Sequence, residues 1–574
     1  LIMSYVPPDK ERAQQAQPGT NGKPTFDWQL TGTSLLDTVK LTLPPMVSLP
    51  VVFVPGIMGS NLADQDGEPV WLLNSTKGQP IGLAWRWASK GPGARQQVLH
   101  PQRTQVYSDG SVPKKMAGMV SRRETYKDRG WGEVGETSYH EFLLWLEDKM
   151  NGQGFNPAKW DDFFYTSVSA APAPGARPPE PKLYPGIAME MNGLPRMAEE
   201  GHVTAPVMSD DLLKRAKCRF PVYACGYNWL ASNEVAGARL KARIETIIAE
   251  NNSGAFKCQQ VILVTHSMGG LVARFCSQLP GMQEKIAGIV HGVMPAVGAA
   301  VAYRRCKVGM RDEDFGAALV IGSTGQEVTA VFAQAPGALQ LLPANGYRPR
   351  WLSVSDAQGK NLVNLPAGDP YEEIYLVKDR WWGLVREEWL SPTNGTPIDW
   401  NEFSKNVKRA KDFHSKISGH YHPHTFVYYG ASGGPQASFE TIKWSMRKGL
   451  QPEKGMRPTE QEISSYTHQM VREQGRNEIF VGGETKVQST YGPGGGGVTS
   501  YETSFWEIQS AMQDGNGDGT VPASSGMAPR RDGGTNIQQQ FRLQGFSHEP
   551  SFKDPTAQRV THYAITKIAA MAKL

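Results

Sequence analysis

Ser267 is the residue around which a reaction can be built in this chain. It follows an apolar β-branched run, Val261 to Val264. After it the spacing becomes helical: Leu271, Val272, Phe275 and Leu279 recur at i, i+1, i+4 and i+8 until Pro280 ends the pattern. A strand, a one-residue corner and a helix hold a serine Oγ clear of a sheet, and a small neighbour such as Gly269 lets strand and helix approach. Thr265 stands where such a corner more often has glycine, one small residue in place of another. A buried strand and helix with an incidental serine would look the same over this stretch alone, so the partners decide.

A serine is a weak nucleophile until a base takes its proton and a carboxylate orients that base. At a strand-to-helix corner the acid and then the histidine follow the serine in the chain. Asp518, in the glycine-rich turn at 514–519, is assigned as the acid, and His548, beyond an extended run at 539–543, as the base. His562 lies in a segment of helical spacing, His266 is turned away from Oγ by the corner, and His291 precedes the acid. Backbone N–H groups must also stabilise the charge on a tetrahedral intermediate. The loop after the short apolar strand at 51–54 offers Ile57 or Met58, and the residue after the serine, Met268, offers the second donor.

Asp514, Asn516, Asp518 and Gly519 match the first half of an EF-hand loop, but Ser525 occupies the place of its closing carboxylate, which excludes that motif. The reaction needs no cofactor. Asp514 and Asn516 remain a weak calcium candidate, a site that would brace the loop carrying Asp518. His420, His422 and His424 alternate along an extended stretch, yet Pro423 interrupts them and no cysteine or carboxylate is near in sequence. They read as surface histidines.

The 574 residues carry 60 basic and 55 acidic side chains, a net +5, with no long run of either sign, which argues against nucleic-acid binding. Five scattered cysteines give neither a zinc site nor a disulfide framework, and leave one optional bridge open. No secretory signal is visible at the start. The apolar stretch from Ile286 to Tyr303 reads as a buried strand and the loop after it, not as a membrane helix.

Strands and helices alternate around Ser267, which predicts an α/β fold with a parallel sheet covered on both faces. The core is expected at 46–62 with 218–304, and again at 421–434 with 511–574. The surface segment is 1–45, and the insertions are 63–217, 305–420 as a cap or lid, and 435–510. In the first insertion a helix begins at Ser138, capped by it with Glu141 reaching back, and Tyr139, Phe142, Leu143, Leu146 and Met150 form its core-facing stripe. A helix from Glu234 to Asn251 places Val235, Leu240, Ile244, Ile247 and Ile248 on one face. In the second insertion the stretch 379–390, with Trp381, Trp382 and Trp389, is the candidate lid or interfacial segment. Thr459 and Glu462 suggest a second capping box, and the glycine run at 492–497 a flexible connection.

Four separated blocks resemble one family: VPGIMGSNL at 54–62, HSMGGLVAR at 266–274, GVMPAVGA at 292–299 and GDGTVP at 517–522. They are similar to the lecithin:cholesterol acyltransferase and GPI inositol-deacylase group of α/β-hydrolases, the third block departing from the family's Gly-Thr-Pro-His. With the large insertions, the whole resembles bacterial type VI secretion lipase effectors of the GPI inositol-deacylase-like branch. That resemblance implies an α/β-hydrolase fold with large cap or lid insertions. It also implies a lipase toxin hydrolysing phospholipid acyl esters through Ser267, His548 and Asp518. The implied partners are a phospholipid membrane as substrate, a cognate immunity protein and a type VI spike protein. Delivery without a signal peptide into the periplasm or cytoplasm of a target cell follows from the same likeness. An acyltransferase of the lecithin:cholesterol type would use the same three residues. A hydrolase-fold protein that only binds a partner is the reading from another class.

Overall fold

The computed structural model describes residues 45–73, 90–113, 126–151, 207–252, 256–311, 322–356, 358–446 and 508–573. Trp87, Tyr466, Thr467 and the backbone of several strands at 11–42 and 471–507 are described as well. Six strands form the central sheet: β1 (Val51–Val54), β2 (Val222–Ala224), β3 (Val261–His266), β4 (Ile286–Gly292), β5 (Thr425–Gly430) and β6 (Ile537–Leu543). Their order is β2-β1-β3-β4-β5-β6, and every pairing is parallel. All residues of β3 and β4 are buried, as strands covered on both faces must be.

The alternation of side chains along the strands separates two cores. Val52, Val54 and Leu263 face one, with α2 (Asn233–Asn251), α3 (Gly269–Gln278) and α4 (Trp400–Ile417). Val51, Phe53, Ile262 and Val264 face the other, with α1 (Glu141–Asn151) and α5 (Pro555–Met571). Local chemistry starts these helices: Ser232 accepts the Glu234 N–H at the head of α2, and Asp554 accepts from Thr556 and Ala557 before Pro555 fixes the first turn of α5. The apolar stretch after β4 continues as a loop and then a short helix, Val301–Val308. No helix among the described residues is long and apolar enough to cross a membrane.

Three local expectations are corrected. Ser138 does not cap α1; it sits inside a π-helical turn, Glu136–His140, that runs into the helix, and the residue preceding that turn is Gly135. Val235 is 61% exposed while Leu240, Ile244 and Ile247 are buried. At 3.6 residues per turn it lies about 140° around the helix from Leu240, off the buried stripe. The stretch 379–390 is built into the interior. Trp381, Leu384, Val385, Trp389 and Leu390 are buried, Trp381 meets Trp444 edge-on, and Lys307 Nζ donates to the carbonyls of Trp381 and Gly383. Trp381 and Trp389 therefore serve packing, and Trp382 lies partly buried against the same core. The five cysteines are all free and buried. The capping box at Thr459 and Glu462 and the glycines at 492–496 lie outside the described residues.

A second six-stranded sheet has the order Asn361–Leu365, Leu352–Ser355, Ile442–Met446, Gly497–Ser510, Glu478–Tyr491 and Val471–Glu473, so it draws strands from both sides of β5 in sequence. Arg274 of α3 anchors the loop after β4 and the end of α4. The residue is 3% exposed, and its guanidinium donates to Ala296 O at 3.0 Å, His420 O at 3.1 Å and Ile417 O. Replacing it with methionine keeps much of the volume and removes the donor to the buried Ala296 carbonyl, while Ile417 O keeps the His420 N–H at 3.1 Å. We expect Arg274→Met to cost about 3 kcal/mol, since an unmet buried acceptor costs roughly 1–3 kcal/mol. A urea midpoint equal to wild type would contradict this role.

Candidate active site

The corner between β3 and α3 puts Ser267 in the left-handed region, with φ of 52°, a conformation that costs a residue bearing a side chain about 1–3 kcal/mol. The surrounding chain holds it there: Ser267 N–H donates to Gly292 O at 2.9 Å. Gly269 is required for the same reason, because a Cβ there would stand 2.4 Å from Val54 O and 2.5 Å from Pro55 O. Strand and helix can approach this closely only with glycine between them.

Ser267, His548 and Asp518, separated by up to 281 residues, meet in one hydrogen-bonded chain. His548 Nε2 lies 2.8 Å from Ser267 Oγ, and His548 Nδ1 lies 2.8 Å from Asp518 Oδ2. A carboxylate accepts, so the ring proton sits on Nδ1 and Nε2 is free to accept the serine proton. Asp518 is 1% exposed, and its other oxygen takes the N–H groups of Thr520 at 3.1 Å and Val521 at 2.8 Å. The histidine backbone is fixed to the same residue, with His548 N–H on Asp518 O at 2.8 Å.

The loop after β1 closes the other side. Met58 has φ of 63°, Gly59 N–H returns to Gly56 O at 3.1 Å, and Trp71 Nε1 donates to Met58 O at 2.8 Å. Among the described residues the N–H groups of Ile57, Met58 and Met268 meet no acceptor, which leaves them available to an incoming oxyanion. Ser267 is 4% exposed, whereas Ile57, Met58 and His548 are partly exposed beside it.

The other histidines lie away from Ser267 Oγ in the hydrogen-bond pattern. His291 Nδ1 is 2.9 Å from Thr265 Oγ1, and burial, followed by the charge of Arg274, pushes its pKa down to about 3. His562 is buried in α5, and burial holds it well below the ordinary histidine range. His420 is exposed, whereas His422 and His424 bond Gln283 O at 3.2 Å and Ala287 O at 2.8 Å, so two of the three read as surface residues are instead tied to the core. Among the described residues no group of three or more histidine, cysteine or acidic side chains could hold a metal ion.

Asp514 is occupied by the chain itself. It accepts from the N–H groups of Glu440 and Thr441, each at 3.0 Å, and from the Thr441 hydroxyl, with Lys443 Nζ 3.0 Å away. The Asn516 carbonyl takes the Ala523 N–H at 2.8 Å. These bonds supply the bracing of the Asp518 loop that a cation was expected to give. The donor set does not suit calcium, because an ammonium already neutralises its best carboxylate.

Two residues at the site carry more than the sequence reading assigned them. His266 is turned from Oγ as the corner requires, but its Nε2 lies 3.0 Å from His548 O. Tyr139, read only as packing, places its hydroxyl 3.0 Å from His266 Nδ1 and receives the Gly56 N–H at 3.2 Å. Nothing in the pattern around Tyr139 separated it from its neighbours on the stripe.

A model of the PGAP1-like α/β domain matches residues 185–309. Comparison with curated protein sequences gives no match. Among solved structures, one chain of the Tle4–Tli4 complex superposes with a TM-score of 0.67 at 28% identity, over 92% of this chain and 99% of that one. Both likenesses support the resemblance to type VI secretion lipase effectors drawn from the four sequence blocks. The chain thus has an α/β-hydrolase fold, is similar over residues 185–309 to the PGAP1-like α/β domain, and is similar over nearly its whole length to a chain of the Tle4–Tli4 complex.

Proposed function

We propose that the protein is a serine esterase that hydrolyses the acyl esters of phospholipids. The observation that carries this reading is the unbroken path from Ser267 Oγ through the His548 ring to the buried Asp518 carboxylate, at 2.8 Å on each side. Ser267 Oγ attacks the ester carbonyl while its proton passes to His548 Nε2. The N–H groups of Met268 and of Ile57 or Met58 take the charge that develops on the carbonyl oxygen. Collapse expels the alcohol, a lysophospholipid, which takes the proton from His548. Water, deprotonated by the same ring, then releases the fatty acid and restores the serine. Asp518 stabilises the imidazolium and stays ionised throughout.

The choice of phospholipid rests on the resemblance to lipase effectors. By analogy with the Tle4–Tli4 complex, a cognate immunity protein binds the chain. A spike protein as carrier and delivery into a target cell complete the proposal. Incubation with a fluorophosphonate followed by peptide mass analysis tests the nucleophile: an adduct confined to the Ser267 peptide is expected. A folded protein that takes no label there would favour a hydrolase fold used only for binding.

A further inference from the structure

We infer that Tyr139 and His266 form a positioning relay that locks the oxyanion loop and the catalytic base into register with each other. This rests on the esterase reading above and adds two residues to it that touch neither substrate nor the reacting atoms.

The direction of each bond follows from what its partners can do. His548 O can only accept, so His266 Nε2 carries the proton, and His266 Nδ1 must accept from the Tyr139 hydroxyl. The same hydroxyl oxygen accepts the N–H of Gly56. One path therefore runs from the loop that holds Ile57 and Met58, through Tyr139 and His266, to the backbone of the base. With His548 N–H on Asp518 O, the base is held at both its backbone groups.

The surroundings make the path stiff. Tyr139 and His266 are buried, and Phe552 lies 5.0 Å from both rings, with Phe53 4.9 Å from Tyr139. Water is excluded, and a hydrogen bond gains strength in such a medium. The loop is moulded to the hydroxyl: a Cβ on Gly59 would come within 2.5 Å of the Tyr139 oxygen, and one on Gly56 within 3.0 Å of His266 Nδ1. Tyr139 is delivered by the π-helical turn Glu136–His140, a geometry that often occurs at functional positions. His266 stays neutral, its pKa pushed down to about 3 by burial and then by the adjacent His548, so the relay passes alignment and not charge.

The test compares wild type, Tyr139→Phe, His266→Gln and His266→Leu on a soluble carboxylic ester and with a fluorophosphonate. In the probe reaction the Oγ–P bond forms, the P–F bond breaks, fluoride leaves and the serine proton goes to His548. Tyr139→Phe and His266→Leu should lower kcat and the maximal phosphonylation rate about 10- to 100-fold, as a small misplacement of reacting groups does, with KM unchanged. His266→Gln, which can still offer an N–H to His548 O, should recover most of the rate. Melting curves of all four proteins separate loss of alignment from loss of fold, and the two His266 variants decide the matter if Tyr139→Phe does not fold. Equal rates for the Gln and Leu variants, or a Tyr139→Phe that phosphonylates as fast as wild type, would overturn the relay. A wild type that takes no label at Ser267 would overturn the esterase reading beneath it.

Discussion

Ser267→Ala is expected to lower turnover of any ester this protein cleaves by on the order of 10⁴- to 10⁶-fold. The methyl group leaves the fold alone and removes the only atom that can form the acyl-enzyme. His548→Ala should cost about as much, because an unassisted serine hydroxyl is almost as inert as none, and the double variant should lose little more. Asp518→Asn is expected to cost about 10⁴-fold by a different route. Asparagine can donate toward Nδ1, which favours the ring tautomer whose Nε2 carries the proton and cannot accept the serine's. Initial rates on a soluble ester, at matched folded fractions, check all four. A residual rate within tenfold of wild type in Ser267→Ala would assign the reaction to another residue.

The second large effect is on stability at acid pH. Among the described residues seven histidines have depressed pKa values, His266 and His291 near 3, His414 and His422 near 4, His562 well below the ordinary value, and His100 and His140 lowered, all chiefly through burial. Above about pH 6.5 the ring is neutral in both folded and unfolded chains, so no stability depends on it. As pH falls below that, the unfolded chain binds protons that the folded one refuses, and the folded state is disfavoured. Each such ring withdraws up to about 1.4 kcal/mol per pH unit between its unfolded and folded pKa. Between about pH 6 and 4 these losses add, and His414 and His422 cease to contribute once pH falls below about 4. The melting temperature should therefore be flat from pH 7 to 8 and fall steeply from about pH 6 to 4. His414→Gln, which retains a donor for Gln340 O, should flatten the slope by one histidine's share. A melting temperature unchanged down to pH 4 would show that these rings are not neutral in the folded protein.

The residues of the proposed reaction were legible in the sequence because each sits in a short pattern with its own physical cause. Ser267 is marked by a β-branched run that turns helical, Asp518 by a glycine-rich turn, and His548 by its place after the last extended run. The parallel sheet was legible for the same reason, since alternating strands and helices admit few arrangements. What was hidden depends on contacts between distant parts of the chain. The pairing of Leu352–Ser355 with Ile442–Met446 joins two stretches read as separate insertions, and no local feature announces it. Trp381 and Trp389 look alike whether they face lipid or a second core. Tyr139 keeps the spacing of a packing residue, and its hydroxyl matters only because β3 brings His266 beneath it. Asp514 resembled a cation ligand until Lys443, from another strand, appeared beside it.

The most direct test of the proposed activity is to incubate wild type and Ser267→Ala with vesicles of mixed phospholipids and identify the products by mass spectrometry. Fatty acid and lysophospholipid are expected in equal amounts from wild type alone, the retained chain revealing which acyl position is cut. Transfer of the acyl group to an added alcohol in preference to water would make the protein an acyltransferase. The same products from Ser267→Ala, or none from a wild type that is folded and bound to the vesicles, would contradict phospholipid hydrolysis at this serine.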